Sequence, residues 1–223
     1  MKKIAGVGTG LSALSLAHHL PSLDITFFEK SWRPGGRIST RKHGEYAFDH
    51  GAHYLKKDHG MIGLNEFLEK IDAIKILKGP FCPNISQNSP IEEKEIIVGK
   101  EGNQSIPLKF HKSLHYPTYF SKKITNIENV KQEYYLIAEE EKFGPFDYVF
   151  CAIPFEQSKN LLDKFIDYSD IPDIEFDPIW TIMLAFNKRL GVPFQFGYHL
   201  TPCLLYTSPS PRDATLSRMP SSA

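Results

Sequence analysis

The hydrophobic positions fall first into short runs. Ile4-Ala5-Gly6-Val7 is apolar throughout, as a parallel strand buried on both faces requires. Residues 11–20 carry apolar side chains at helical spacing, and Asp24-Ile25-Thr26-Phe27-Phe28 is a second apolar strand. Residues 46–54 read as a strand running into a glycine turn. Residues 60–71 place Ile62, Leu64, Phe67, Leu68 and Ile71 on one face of an amphipathic helix. Pro80, Pro83, Asn84, Asn88 and Pro90 predict a loop over residues 79–93. A strand is expected at 95–98, then a turn into a helix within 99–112. There Ile106, Leu108 and Phe110 are the candidate core residues, and Pro107 keeps the helix short. Later strands are expected at 122–127, 133–140 (antiparallel), 146–153 and 180–186, with a helix at 155–165.

The linker between the first strand and helix carries chemistry. Gly8-Thr9-Gly10-Leu11-Ser12-Ala13 is a G-x-G-x-x-A form of the dinucleotide fingerprint. Gly8 permits the tight turn, Gly10 a close approach of backbone to pyrophosphate, and Ala13 tight packing of helix on strand. The helix start then aims free N–H groups and its positive dipole end at the phosphates. Glu29 closes the second strand, at about the 20-residue distance where an acid bonds a ribose hydroxyl. Beyond it, Lys30-Ser31-Trp32-Arg33-Pro34-Gly35-Gly36-Arg37 sets two glycines before an arginine. That suits a second backbone approach to an anion, with a guanidinium for phosphate or a flat ring.

Gly8-Thr9-Gly10 with Glu29-Lys30 and Gly35-Gly36-Arg37 resembles the N-terminal FAD-binding signature of the flavin amine oxidase superfamily. Within it the chain is most similar to bacterial renalase-like oxidoreductases. Phe48 to Tyr54, Val98 to Gly102, Asp147 to Pro154 and Asp177 to Trp180 support the likeness, which runs over residues 1 to about 202. The resemblance implies an α/β chain: a Rossmann-like FAD-binding domain at 1–54 and 98–168, and a smaller α+β substrate domain at 55–97 and 169–202, incomplete at its C-terminus. It implies FAD bound by Gly8, Thr9, Gly10, Leu11, Ser12, Ala13, Glu29, Lys30, Gly36, Arg37, His50, Gly51 and Ala52, with the backbone of Ile124 at the adenine edge. It also implies a hydride passed to flavin from a small reduced donor, either NAD(P)H-like or an amine, with oxygen as acceptor. The superfamily's C-terminal Gly-Asp element is missing. A non-catalytic nucleotide-binding fragment and an NAD(P)-binding reductase therefore stay open as alternatives.

Composition narrows the classes. The chain has 223 residues, 41% of them hydrophobic, with 26 basic against 26 acidic side chains. That balance disfavours a nucleic-acid binder and a disordered chain. Cys82 and Cys151 are isolated, as in a reducing compartment, and form no cysteine-built zinc site. With no leader peptide and no apolar run long enough to span a bilayer, a cytoplasmic protein without membrane partners is expected. His43, His50, His53 and His59 are spaced too irregularly for a metal motif. His18-His19 suit helix-end cations. Trp180, Phe186, Phe194 and Phe196 are read first as core, with a pocket wall as the alternative. No nucleophile–base–orienter set and no paired acid/base carboxylates are visible, as in an enzyme whose cofactor carries the chemistry. Residues 203–223 do not read like the rest. Back-translated, Cys203 to Ser208 matches a sequencing-adapter end, so a non-native, disordered tail is expected there.

Overall fold

The computed structural model describes all residues except 56–61, 172–173, 175–180, 187, 189, 202–203, 208–214 and 219–223. In chain order its strands and helices are β1 (Lys3–Val7), α1 (Leu11–His19), β2 (Asp24–Phe28), β3 (Thr40–His43), β4 (Tyr46–Asp49), α2 (Ile62–Lys70), β5 (Ile74–Cys82), β6 (Glu92–Gly99), α3 (Ser105–Leu114), β7 (Thr118–Tyr119), β8 (Asn126–Val130), β9 (Glu133–Ala138), β10 (Glu141–Phe146), β11 (Tyr148–Cys151), α4 (Phe155–Leu162), β12 (Leu184–Ala185), β13 (Phe196–Thr201), β14 (Leu204–Thr207) and β15 (Thr215–Arg218). They form two compact units, Met1–Gly36 with Pro107–Glu175, and Arg37–Ile106 with Phe176–Ala223.

The first unit is built on a parallel sheet of order β11-β1-β2-β7. Alternation sends the side chains of β1 and β2 to two different cores. On one face Ile4, Ile25 and Phe27 meet Ala13 and Ala17 of α1. On the other, Ala5, Val7 and Phe28 meet Ile124, Ile127, Leu136 and Phe146. Those last residues come from the antiparallel sheet β10-β9-β8 and the segment leading into it. Strands covered on both sides must be apolar throughout, which is why β1 reads as an unbroken run. Gly6 has its own reason to lack a side chain, because a Cβ there would stand 2.6 Å from the Phe150 ring and 2.8 Å from that of Phe27.

The second unit holds the hairpin β3-β4 and a sheet of order β12-β15-β14-β13-β5-β6. The expected loop over 79–93 is corrected. β5 continues through Gly79 and Pro80 to Cys82, in register with β6 from Ile74↔Gly99 to Phe81↔Glu92. Pro80 contributes its carbonyl, which accepts the Gln195 N–H at 2.8 Å. Only the stretch between β5 and β6 is irregular, with a short 3-10 turn at Ile85–Gln87.

Other boundaries move for local reasons. α3 runs a full ten residues, because Pro107 lies in its first turn, where an amide N–H has no helical partner to lose. Ile106 and Phe110 are fully buried as expected, whereas Leu108 is 39% exposed, on the opposite side of the helix. β8 starts at Asn126, so Ile124 precedes the strand. The expected strand over 146–153 divides between the end of β10 and β11, and the strand expected at 46–54 ends at Asp49. α4 is shorter than expected, and the strand expected at 180–186 is reduced to the exposed pair Leu184–Ala185. Trp180, Gly60 and His59 lie outside the described residues. Within residues 203–223, expected as a non-native tail from the adapter likeness, the described β14 and β15 pair antiparallel, Tyr206↔Arg218 and Thr207↔Ser217.

Candidate functional site

The carboxyl ends of β1 and β2 carry Gly8 to Ala13 and Glu29 of the predicted nucleotide residues, within the first unit. Gly8 turns the chain with φ +95°, a conformation that side chains disfavour, and its N–H donates to the Phe28 carbonyl at 2.8 Å. A Cβ at Gly8 would also stand 2.8 Å from Ile153 Cγ2 and 3.0 Å from the Ala152 carbonyl oxygen. The fold itself therefore demands this glycine.

Gly10 differs. Its backbone is extended, φ −72° and ψ 172°, as any residue can adopt. A Cβ added there would meet nothing within 4 Å. Among the described residues no contact explains the missing side chain. Gly10 is the N-cap of α1 and offers no side-chain cap, and the first turn of α1 carries no acidic residue. The N–H groups of Leu11, Ser12 and Ala13 thus begin the helix with no intrahelical acceptor, as helix geometry dictates. A surface left open beside them is where an anion fits.

A second glycine pair flanks this loop. Gly35 bridges to Gly10, and its N–H donates to the Thr9 carbonyl at 3.2 Å. Gly36 has φ +58°, and a Cβ on it would stand 3.5 Å from Gly10 Cα.

Glu29 lies beside the first loop and is only 5% exposed. Its Oε2 accepts the Thr9 N–H at 2.9 Å and the Thr9 hydroxyl at 2.6 Å, while its Oε1 accepts the Ser31 N–H at 2.9 Å. The backbone of Glu29 is held as well: its N–H donates to the Tyr119 carbonyl and its carbonyl accepts from Lys122, each at 2.9 Å. β7 is braced in turn by His111 of α3, whose Nε2 lies 2.7 Å from Thr118 Oγ1. The Thr118 hydroxyl donates to the Tyr116 carbonyl at 3.2 Å, which leaves Nε2 of His111 to donate to Thr118. Burial pulls the His111 pKa below its ordinary value of 6.5.

Two predicted residues of this unit stand apart from the loop. Lys30 is exposed and donates to Gln157 Oε1 at 3.3 Å. Ile124 is buried among Ala5, Val7 and Phe28. Its neighbours are tied down, Lys122 to Glu29 and Thr125 to Ile137. Cys151, at the end of β11, is no nucleophile at neutral pH, because burial pushes its thiol up to about 11.

The remaining predicted residues belong to the second unit, where the chain brings them to one turn. Ala52 N–H donates to the Arg37 carbonyl at 3.0 Å, and His50 N–H to the Ser39 carbonyl at 3.2 Å. A Cβ at Gly51 would overlap the Arg37 carbonyl oxygen, so internal packing already accounts for this glycine. The turn hangs on residues that no sequence motif marks. Asn103 is 2% exposed, and its Nδ2 donates to the carbonyls of Ala52 and His53 at 2.8 and 2.7 Å. Its Oδ1 accepts Gly99 N–H at 2.8 Å, and its own N–H donates to Asp49 Oδ1 at 2.8 Å. Thr40 Oγ1 donates to the same Asp49 oxygen at 2.5 Å and accepts the Gln104 N–H at 2.9 Å. The available signal was a polar Asn-Gln-Ser run directly after Gly99 and Gly102. Among the described residues no group of three His, Cys, Asp or Glu side chains is placed to hold a metal, and no helix is long and apolar enough to cross a membrane.

The strand–glycine turn–helix–strand–acid arrangement defines a Rossmann-like fold of α/β class. The NAD(P)-binding Rossmann-like domain family model matches residues 7–70. Solved structures share the fold. A fatty acid isomerase from P. acnes, described as producing CLA, superposes with a TM-score of 0.68 at 13% identity, over 97% of this chain and 76% of that one. An oxidoreductase from Methanosarcina mazei gives 0.63 at 12% identity, over 96% and 78%. Putrescine oxidase bound to putrescine gives 0.54 at 11% identity, over 70% of this chain and 59% of that chain.

Proposed function

We propose that the protein is an FAD-dependent oxidoreductase of the amine oxidase and renalase-like type. The observation that carries this reading is the open space at Gly10. The fold needs Gly8, but among the described residues no contact needs Gly10 to be bare. A pyrophosphate lying against the loop supplies the missing reason. The fold shared with putrescine oxidase and the M. mazei oxidoreductase supports the same reading.

The residues divide by task. The N–H groups at the start of α1 receive the phosphates, and Gly36 gives them a second backbone wall. Glu29 takes a ribose hydroxyl. The main chain at Ile124 meets the adenine edge, and Lys30 stands at the rim. Arg37, His50, Gly51 and Ala52 are proposed to contact the same cofactor, with Arg37 supplying charge. When bound, flavin accepts a hydride from a reduced donor. The donor is a small molecule, a dihydronicotinamide nucleotide or an amine, and oxygen is the acceptor. Residues 203–223 are proposed to be translated adapter sequence, a reading supported by the back-translation of Cys203 to Ser208. Sequencing the source gene across this stretch tests it.

The deciding experiment is purification followed by an absorption spectrum. Yellow protein whose flavin bands bleach on anaerobic reduction supports the proposal. Protein that retains no flavin yet binds NAD(P)H is a nicotinamide reductase instead. Protein that binds neither is a non-catalytic fragment.

A further inference from the structure

Glu29 has its bonding capacity largely committed before any ligand arrives. A carboxylate offers about four acceptor positions, two on each oxygen. Thr9 fills both positions on Oε2, one with its backbone N–H and one with its hydroxyl. The Ser31 N–H takes one of the two on Oε1. The hydroxyl contact, at 2.6 Å, has the length of a charge-assisted bond. The Thr9 side chain is fully buried, and its branched Cβ restricts rotation about χ1. The carboxylate is therefore oriented by Thr9, with a single acceptor position left, on Oε1.

We propose that Thr9 is a positioning residue that limits Glu29 to one ribose hydroxyl, received at Oε1. The inference rests on the reading of Glu29 as the ribose acid and deepens it. A carboxylate free to rotate could accept both vicinal hydroxyls of the ribose. With Oε2 saturated, only one of them is bonded, and the usual partner of this acid is the 2′-hydroxyl.

The test is calorimetric binding of ADP, 2′-deoxy-ADP and 3′-deoxy-ADP to the full chain, cleared of flavin. For the wild type, 2′-deoxy-ADP should bind about tenfold more weakly than ADP, and 3′-deoxy-ADP within about twofold of it. Thr9→Val keeps the shape and removes the hydroxyl. It should weaken ADP by about fivefold and shrink the ADP/2′-deoxy-ADP ratio to within about twofold. Thr9→Ser restores the donor and should restore the ratio, which a purely structural role for Thr9 would not do. Equal losses with both deoxy ligands, or a 2′ preference that survives Thr9→Val, overturns the inference while leaving the nucleotide site standing. Wild-type protein that binds no ADP overturns the proposed function with it. Should Thr9→Val fail to fold, the wild type and Thr9→Ser with the two deoxy ligands still decide the single-hydroxyl claim.

Discussion

Gly35 donates its backbone N–H to the carbonyl oxygen of Thr9 at 3.2 Å, so the second glycine pair is fastened directly to the first. The two glycine segments are thereby joined through the main chain, while the Glu29 carboxylate holds Thr9. Such a cradle tolerates many side-chain changes nearby and few at the glycines themselves.

The two glycines of the first loop should respond differently to substitution. Gly8→Ala introduces a side chain at φ +95° against Ile153, and should cost about 1–3 kcal/mol of unfolding free energy. Gly10→Val should cost about 1 kcal/mol or less, the preference for glycine over valine at a helix N-cap, since the space for a Cβ there is open. It should nevertheless abolish flavin retention. Urea unfolding and flavin content, measured on both variants, separate the two effects. Full flavin content in Gly10→Val would remove the main support for the site.

Glu29→Ala removes the proposed ribose acceptor and leaves the Thr9 and Ser31 donors without their carboxylate. Cofactor affinity should fall by about 1–3 kcal/mol. A flavin titration followed by fluorescence quenching measures it, and an unchanged dissociation constant would mean that Glu29 does not hold the cofactor.

Asn103→Ala deprives the carbonyls of Ala52 and His53 and the N–H of Gly99 of their buried partner. At about 1–3 kcal/mol for each group left unsatisfied, stability should drop by roughly 3 kcal/mol or more. Asn103→Asp should fare no better, because it turns an acceptor toward two carbonyl oxygens. Denaturant unfolding of the two variants checks this, and a loss under about 1 kcal/mol in both would contradict the network.

Acid should weaken the fold through histidine. The His111 pKa is lowered by burial, and that of His18 by burial and by the neighbouring His19, from an ordinary 6.5. Below that value the unfolded chain binds protons that the folded chain refuses. Stability should therefore be intact above about pH 6.5 and decline as pH falls below it. Urea midpoints followed across that window measure the slope. His111→Gln should flatten it, and an equal slope in the variant would show that His111 is not responsible.

Much of the cradle could be read from the chain as written. The spacing from Gly8 to Glu29, and the second glycine pair before Arg37, marked the turn after β1, the end of β2 and the segment that Gly35 ties to Thr9, because each is a local requirement on backbone conformation or strand length. The same local logic misplaced Pro80 and Leu108. Prolines suggested a loop at residues 79–93, but pairing along the whole length of β6 kept β5 extended. Leu108 looked like core by composition, but the facing of α3 turned it outward.

The primary structure alone determined that a tight glycine turn must join a buried strand to a helix, and that an acid closes the next strand. Apolar runs and backbone freedom act between near neighbours and need no partner from elsewhere. Tertiary structure decided the rest: that Thr9 saturates one oxygen of Glu29, that the Arg37 carbonyl forbids a side chain at Gly51, and that Asn103 suspends the Ala52–His53 turn. Each depends on a donor meeting an acceptor, or an atom filling a space, across many residues of intervening chain. Only the folded arrangement sets such distances.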